Sequence, residues 1–450
     1  MGRQIEELAR FVAETRLADI PEAVRAHARI TLLDTLGVIL AGSTRPEVAA
    51  LRERLGGGSG GATVYAPGWP QSDARSAALL NGIAGRAIEL CEGLRLVSGQ
   101  AALQVLPGVL AVGEAAGSSG AEMLAALILG YEAAGRLASG FIPRPLAHQN
   151  GQVSLLAAAA AGARLRGFDA AGVSLAMRIA TTLVLTPSYT NAVAGATALN
   201  VAGGMSGFAA GLAPELALAG FAAQPDAVEE ALGQLVGGGF AAERLLDGLG
   251  GDWQITKNYF RLYACCNPIH PALDCLAAAL AELNPAAQDV KHIDVATYRF
   301  ASVMRNPDPP NYFGSKYSLP HAAAAMVVRG GAGFAELDDS AVADPRIAAL
   351  RHKVHIAEDP AMSALTPRLR PARVTVTLGD GRSATVARDS HRGDFSDPFS
   401  AAELRGKFRE LAGTVLSADG ATAVERAVDD IENWPHAGAL TGLMRRHARS

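Results

Sequence analysis

A helical periodicity that continues over more than half of the chain constrains the fold most. From residue 1 to about 265 of the 450-residue chain, apolar side chains recur three and four positions apart, and strand-like runs are scarce. This spacing is typical of amphipathic helices that bury one face. An N-terminal helix is predicted to bury Ile5, Leu8 and Val12. Further predicted helices span 23–40, 122–137, 153–165, 170–185 and 226–235, and 62–65 is predicted to be a short strand.

The pattern changes after residue 267. A helix is predicted over 270–283, followed by a strand over 290–298 that is rich in β-branched residues. A helix over 318–328 and a strand over 350–356 follow. Strict alternation over 372–378 and a second run over 383–387 flank the turn 379–382, which predicts a β-hairpin.

Helical spacing returns from residue 400 onward, with predicted helices over 403–411, 421–431 and 440–447. A helical segment after an α+β insert often packs back onto the first domain. The predicted fold is therefore mainly α, with a large all-helical domain formed by both chain ends (1–266 and 396–450). A smaller α+β domain is predicted over 267–395.

Composition excludes several classes of partner. The net charge of −4 comes with no basic patch, so neither nucleic acid nor an anionic membrane surface is an expected partner. The most apolar stretch, 201–222, contains many glycines and Pro214, and we expect these residues to break it before it could span a membrane. The N-terminus lacks the parts of a signal peptide, and four cysteines are too few for a disulfide framework. A cytoplasmic location is predicted.

Two local motifs carry little functional information. The glycine-rich run 56–61 contains G-x-G-x-x-G, but a helix precedes it and a strand follows, so a loop is the better interpretation than a phosphate site. Cys265, Cys266, Cys275 and His270 lie close in sequence without the spacing of a zinc or iron–sulfur site. No metal site is predicted.

Three junctions between predicted elements carry residues that are candidates for a functional site. His270 lies between two prolines at a predicted helix start, where an anion is favoured. Lys257 and Tyr259 lie just before it, and Lys316 lies in a junction rich in Gly, Pro and Tyr. Junctions of this kind often carry functional side chains.

These junctions also carry a resemblance that covers nearly the whole chain. The segments that resemble the MmgE/PrpD family are 32–43 (LLDTLGVILAGS), 81–84 (NGIA), 105–107 (VLP), 130–132 (GYE), 265–274 (CCNPIHPALD), 316–320 (KYSLP) and 391–411. The resemblance implies a large helical domain built from both chain ends, a small α+β lid domain and a cleft between them. It also implies a homodimer that acts on small polycarboxylates without a metal or organic cofactor.

The chain departs from the family's dehydratases and decarboxylases at several positions. They carry H-A-x-D-F-D-D-T followed by H-P-S, whereas this chain has RAIELCEG at 86–93 and then SGQA at 98–101. Glu89 stands in the place of the first Asp, Gly93 replaces the Thr, and Gln100 falls near the catalytic His. The lysine of the family's K-R/P-L-H-x-G is absent at 197–201. Arg86 replaces a His and adds a fixed charge, which indicates a changed or more anionic ligand.

The leading hypothesis is a divergent, dehydratase-like lyase that moves a proton next to a carboxylate. The candidate acid/base residues are Glu89 and His270, and Tyr259 is the candidate donor to a developing enolate. The predicted substrate-binding residues are Arg86, Gln100, His148, Lys257 and Lys316. An epimerase is one alternative, since it needs no acid for a leaving group. A catalytically inactive carboxylate-binding protein is the other, and the absence of two of the family's acid/base residues supports it.

Overall fold

The computed structural model describes residues 2–55, 58–97 and 99–449. Its N-terminal part is built from helices that surround one large apolar core. Two short antiparallel ribbons, Ala62–Thr63 with Gln71–Ser72 and Phe141–Pro143 with Gly237–Phe240, are attached to it. The principal helices of this part are Arg3–Glu14, Glu22–Gly42, Pro46–Leu55, Ala74–Arg86, Ala101–Ala116, Gly120–Gly140, Val153–Leu165, Ala170–Ala180 and Asn200–Leu218.

Several of these helices begin at side chains that cap their free amides. Ser119 and Glu122 form a capping box at the start of Gly120–Gly140. Asp73 and Asp169 accept backbone N–H bonds at the starts of Ala74–Arg86 and Ala170–Ala180. The helix starts are thus fixed by local sequence, while the buried faces fix the packing.

The abundance of glycine allows two central helices to approach unusually closely. Ala74–Arg86 crosses Asn200–Leu218 at Gly82, where an added Cβ would lie 2.7 Å from the Cα of Gly204. No larger side chain fits this crossing without moving a backbone. The helix continues through its glycines and Pro214, because the close packing offsets the low helix propensity of glycine.

A direct test of this crossing is Gly82→Ala. The new methyl group would meet backbone atoms of the neighbouring helix, so the free energy of unfolding should fall by about 1–3 kcal/mol. Urea denaturation measures the change. The control is Gly406→Ala, since Gly406 lies in a helix where an added Cβ would meet no atom within 4 Å. An equal loss of stability in both variants would contradict the proposed packing.

The part of the chain after residue 267 contains a four-stranded sheet. Its strand order is Val354–Glu358, Val290–Thr297, Ala372–Leu378 and Ser383–Arg388, and the first pair is parallel while the others are antiparallel. The principal helices that accompany it are His270–Leu283, Leu319–Arg329 and Pro345–Arg351. Together they enclose a second apolar core.

The C-terminal helices return to the N-terminal core. They are Ala401–Ala412, Ala418–Asp429 and Gly438–Arg446. Phe408 packs against Gly37, where an added Cβ would lie 3.0 Å from the ring. Lys407 donates from Nζ to Asp34 at 2.6 Å, and both side chains are buried. The predicted return of this segment is confirmed, while the domain bounds 267 and 395 stay a prediction.

Most predicted elements are confirmed in place, including the hairpin and the helices at 153–165 and 270–283. The predicted helix 170–185 is too long, since the α-helix ends at Ala180 and a 3-10 turn follows. The predicted strand 350–356 begins too early, because Pro345–Arg351 is helical.

One helical segment of the described chain, Thr197–Leu218, is long and apolar enough to cross a membrane by length and composition. Half of its most apolar window is buried inside the protein, as expected for a core helix. The finding is weak evidence for a membrane span. The glycine motif at 56–61 is only partly described, since residues 56 and 57 lie outside the described residues.

Candidate active site

A cavity of about 520 Å³ lies where the N-terminal helices meet the segment after residue 267. Its size is in the range of small-molecule sites. The residues that line it are Glu89, Leu94, Arg95, Gln100, His148, Gln149, Tyr189, Tyr259, Arg261, Cys266, Asn267, Pro268, Tyr298, Arg299, Phe300, Val303, Tyr317, Thr366, Pro367 and Arg370. It therefore brings together four of the predicted site residues: Glu89, Gln100, His148 and Tyr259.

Glu89 is the centre of a buried network of charges. Its Oε1 accepts a bond from Arg261 at 2.6 Å, and its Oε2 accepts one from the Tyr317 hydroxyl at 2.9 Å. Arg86 also donates to Oε2 and, at 2.6 Å, to the Tyr317 oxygen. All four side chains are almost completely buried. Two guanidinium groups thus enclose one carboxylate.

This network argues against the predicted acid/base role of Glu89. Burial alone would raise the pKa of Glu89, but Arg86 and Arg261 outweigh it and lower the pKa to about 2. A carboxylate with this pKa is a weak base at neutral pH. Glu89 has a positive φ of 51°, which is uncommon for a residue with a side chain. We interpret Glu89 as the group that orients Arg261 and Tyr317 at the cavity wall.

Arginines outnumber carboxylates among the described residues that line the cavity. Four arginines line it (Arg95, Arg261, Arg299 and Arg370), against Glu89 as the single carboxylate among the described lining residues. Arg299 is exposed, whereas Arg261 is fully buried. Guanidinium groups bind carboxylates with two parallel bonds, so this wall suits an anionic ligand.

His148 is held as a neutral imidazole. Its Nδ1 accepts the backbone N–H of Asn150 at 3.2 Å, which places the proton of the neutral ring on Nε2. The ring stacks on Tyr189 with centroids 5.5 Å apart. Burial, with the charge of Arg86, lowers the pKa of His148 to about 3. His148 is therefore suited to donating a hydrogen bond rather than to accepting a proton.

The ring of Tyr259 occupies the space that a side chain at Gly93 would need. The two residues exchange backbone hydrogen bonds of 2.8 and 3.0 Å. A Cβ on Gly93 would lie 2.3 Å from the Tyr259 hydroxyl oxygen. The departure at Gly93 is therefore coupled to the placement of the Tyr259 ring. Burial raises the pKa of Tyr259 to about 12, so its phenol keeps its proton at neutral pH.

The coupling can be tested with Gly93→Ala. The added methyl should displace Tyr259, lower the free energy of unfolding by about 1–3 kcal/mol and reduce turnover. In a Tyr259→Val background the same substitution should cost less, because the hydroxyl and the ring edge are gone. Denaturation of the four proteins completes the cycle. An identical cost of Gly93→Ala in both backgrounds would contradict the coupling.

His270 and Lys316 do not line the cavity, although the sequence predicts both to lie in the cleft. Nε2 of His270 donates to the carbonyl of Cys265 at 3.1 Å, and burial holds the pKa of His270 well below its usual value. Lys316 donates to the carbonyl of Leu337, and its Nζ lies 3.9 Å from the ring centre of Tyr312. Burial lowers the pKa of Lys316 to about 7. Both side chains are engaged by the protein itself, and their predicted roles stay untested.

The other predicted binding residues lie in three different settings. Arg86 is buried behind the cavity wall and reaches it through Tyr317. Lys257 pairs with Asp252 with 38% of its side chain exposed and is not among the lining residues, which differs from the prediction. Gln100 lines the cavity at the start of Ala101–Ala116, and its buried Oε1 accepts no hydrogen bond within the described part of the protein. Ser98, part of the same motif, lies outside the described residues.

Sequence reasoning missed the four arginines that line the cavity, Arg95, Arg261, Arg299 and Arg370, and also Tyr317. Arg261 had a usable signal, since it lies two positions after Tyr259 and would share a face with it in an extended segment. Tyr317 lies within the junction already noted at Lys316. Arg370 lies in a loop that offers no comparable pattern. Within 2–55, 58–97 and 99–449 no three His, Cys, Asp or Glu side chains group as metal ligands would.

Two family models match most of the chain. A family model described as the MmgE/PrpD N-terminal domain matches residues 6–238, and one described as the MmgE/PrpD C-terminal domain matches 263–433. The chain belongs to the MmgE/PrpD family. Among similar proteins, human cis-aconitate decarboxylase is 23% identical over 98% of this chain and 94% of its own length. The cis-aconitate decarboxylase-like protein oryM of Aspergillus oryzae is 24% identical over 98% of this chain and 97% of its own length. A cis-aconitate decarboxylase of Aspergillus terreus is 23% identical over 77% of this chain and 76% of its own length.

Proposed function

We propose that this MmgE/PrpD protein is a lyase that acts on a small carboxylate with at least two carboxyl groups. The arginine-lined cavity, in which the one lining carboxylate is already neutralised, carries the proposal. The names of the relatives, which are cis-aconitate decarboxylases, support it. A ligand of this class would offset the positive excess that the protein leaves on the cavity wall.

Among the possible lyase reactions, the site favours decarboxylation over dehydration. Dehydration next to a carboxylate needs a base that removes a proton from carbon. The lining groups with a shifted pKa lie far from neutrality: burial raises the pKa of Cys266 to about 12, and the pKa of His148 is lowered to about 3. Decarboxylation begins with loss of carbon dioxide and needs no such base.

The proposed reaction uses the lining residues as follows. Arg261 and Arg370 bind the carboxylates that stay on the substrate. The bond between the departing carboxyl carbon and its neighbour breaks, carbon dioxide leaves, and the electron pair delocalises toward a retained carboxylate. Fixed cations stabilise the charge that develops there. The Tyr259 phenol then donates a proton to the carbanion and is reprotonated from water.

The proposal is tested by incubating the purified protein with cis-aconitate, 2-methylcitrate and iminodisuccinate in separate reactions. Carbon dioxide release with loss of at least one substrate is the expected result. Water loss without carbon dioxide would indicate the dehydratase-like hypothesis instead. If ligands raise Tm but none is consumed, the inactive carboxylate-binding alternative is correct.

That alternative has one observation in its favour, namely that Gln100 stands near the family's catalytic His and cannot transfer a proton. An epimerase would need two proton-transfer groups on opposite faces of the substrate. The homodimer, the independence from cofactors and the cytoplasmic location predicted from sequence remain part of the proposal.

A further inference from the structure

One polar chain leads from a fully buried histidine outside the cavity to an arginine that lines it. Nη1 of Arg370 donates to Oδ1 of Asn267 at 2.5 Å. Nδ2 of Asn267 lies 2.8 Å from Nε2 of His391, and Nδ1 of His391 lies 2.8 Å from the carbonyl of Arg392. Asn267 and His391 are buried, with 3% and 0% of their surfaces exposed.

Each group in this series of hydrogen bonds can act only as a donor or only as an acceptor toward its neighbour. The guanidinium of Arg370 only donates, so the oxygen of Asn267 must face it. The amide nitrogen of Asn267 then donates to Nε2 of His391, which must be unprotonated. The proton of the neutral ring is therefore on Nδ1 and is donated to the carbonyl of Arg392. The tautomer of His391 fixes the orientation of Asn267, and that orientation fixes the hydrogen-bond acceptor for Arg370.

The His391 ring is itself held in place. It contacts the rings of Tyr259 and His270 edge-on, with centroids 5.6 and 5.4 Å away. The following turn is docked at Gly393, which has a φ of 92° and accepts the backbone N–H of Phe260 at 2.9 Å. A Cβ on Gly393 would lie 2.2 Å from the Phe399 ring. The turn leaves the histidine little freedom to move.

The same turn also anchors a second arginine of the cavity. Asp394 is fully buried and forms an ion pair with Arg95, which lines the cavity. The segment 391–394 thus contacts the cavity side that carries Arg95 and Arg370, whereas Glu89 holds Arg261. Arg95 and Arg370 are thus held by one segment of the chain, and Arg261 is held by Glu89.

We propose that His391 is a positioning residue that, through Asn267, holds Arg370 in place to bind a second carboxylate of the substrate. The identity of the ligand rests on the proposed function, but the positioning of Arg370 does not. In this arrangement Arg261 binds one carboxylate of the substrate, and Arg370 together with Arg95 binds another. A monocarboxylate would bind either to Arg261 or to Arg370 and Arg95, and would leave the other position without a ligand.

The test compares His391→Leu, which removes the acceptor, with His391→Gln, whose side-chain oxygen can replace Nε2. Phenylglyoxal modification of Arg370 is followed by peptide mass spectrometry without ligand, with the exposed Arg346 as internal control. His391→Leu should speed modification of Arg370 about tenfold, as expected for losing one bond to a charged group, while His391→Gln stays near the wild-type rate. Asn267→Ala should match His391→Leu and serves if that variant does not fold.

Binding of tricarballylate, measured by calorimetry, separates the two claims. Faster modification of Arg370 together with weaker tricarballylate binding in His391→Leu supports both. If Arg370 becomes more reactive but the wild-type protein binds no tricarballylate, the positioning stands and the proposed substrate class fails. An unchanged modification rate of Arg370 in both His391→Leu and Asn267→Ala overturns the inference, whatever the binding result.

Discussion

Arg261→Met is expected to lower the free energy of unfolding by about 3–5 kcal/mol, because it leaves a buried carboxylate short of one cation. Arg261 donates to Glu89 Oε1 at 2.6 Å and to the carbonyls of Glu89 and Cys265 at 3.1 and 3.2 Å. The same change removes the buried guanidinium of the cavity wall. On any substrate of the protein, kcat/KM should fall by roughly 10²–10³.

Chemical denaturation and steady-state kinetics measure these two effects. Combining Arg261→Met with Glu89→Gln should recover part of the lost stability, since the stranded charge is then removed. The matched control is Arg346→Met at the exposed pair with Asp344, where almost no change in the free energy of unfolding is expected. If Arg261→Met were as mild as Arg346→Met, the charge network described for Glu89 would be wrong.

The contribution of Glu92 to the free energy of unfolding should fall as pH rises from about 4.5 to about 7. Its carboxyl group is fully buried and accepts bonds from Tyr131 at 2.9 Å and from the backbone of Ala102 at 2.8 Å. Burial, with the charge of Asp34, raises its pKa from 4.5 to about 7. Over this window the unfolded chain has already released the proton that the folded protein keeps. The folded state is therefore favoured at low pH, and this advantage is lost toward pH 7.

The effect is isolated by comparison with Glu92→Gln, which has no proton to lose at this position. The difference in unfolding free energy between wild type and variant should decrease by about 3 kcal/mol across this window and then level off. Denaturation at a series of pH values provides the measurement. A difference that stays constant from pH 4.5 to 7 would show that Glu92 is not held protonated in the fold.

Sequence was sufficient for most elements because their signals are local. Apolar spacing and nearby caps, such as Ser119 with Glu122, predict where helices lie. The sequence did not predict the helix Asn200–Leu218. The close approach of Gly82 and Gly204 there is a tertiary property that outweighs the local cost of glycine in a helix. Helix ends such as Ala180 were also misplaced, since apolar spacing continues into the 3-10 turn.

The site was predictable only in part, for the same reason. Tyr259 was found from its sequence context, Gln100 and His148 were found from the family resemblance, and all three line the cavity. The pairing of Glu89 with Arg261 could not be found in this way, since Arg261 lies 172 residues further along the chain. Only the fold shows that Glu89 is neutralised by two arginines and that His270 is bonded to the backbone carbonyl of Cys265. These two contacts move the acid/base assignment away from the residues that sequence favoured.

The most direct test of the proposed lyase activity is proton NMR of the purified protein with cis-aconitate in heavy water. Decarboxylation followed by proton return from an exchangeable donor predicts a product that has lost one carboxyl group and gained one deuteron. The remaining substrate should carry no deuterium, because no base removes a proton from carbon. Deuterium in recovered cis-aconitate without loss of carbon dioxide would contradict the account and point to proton abstraction.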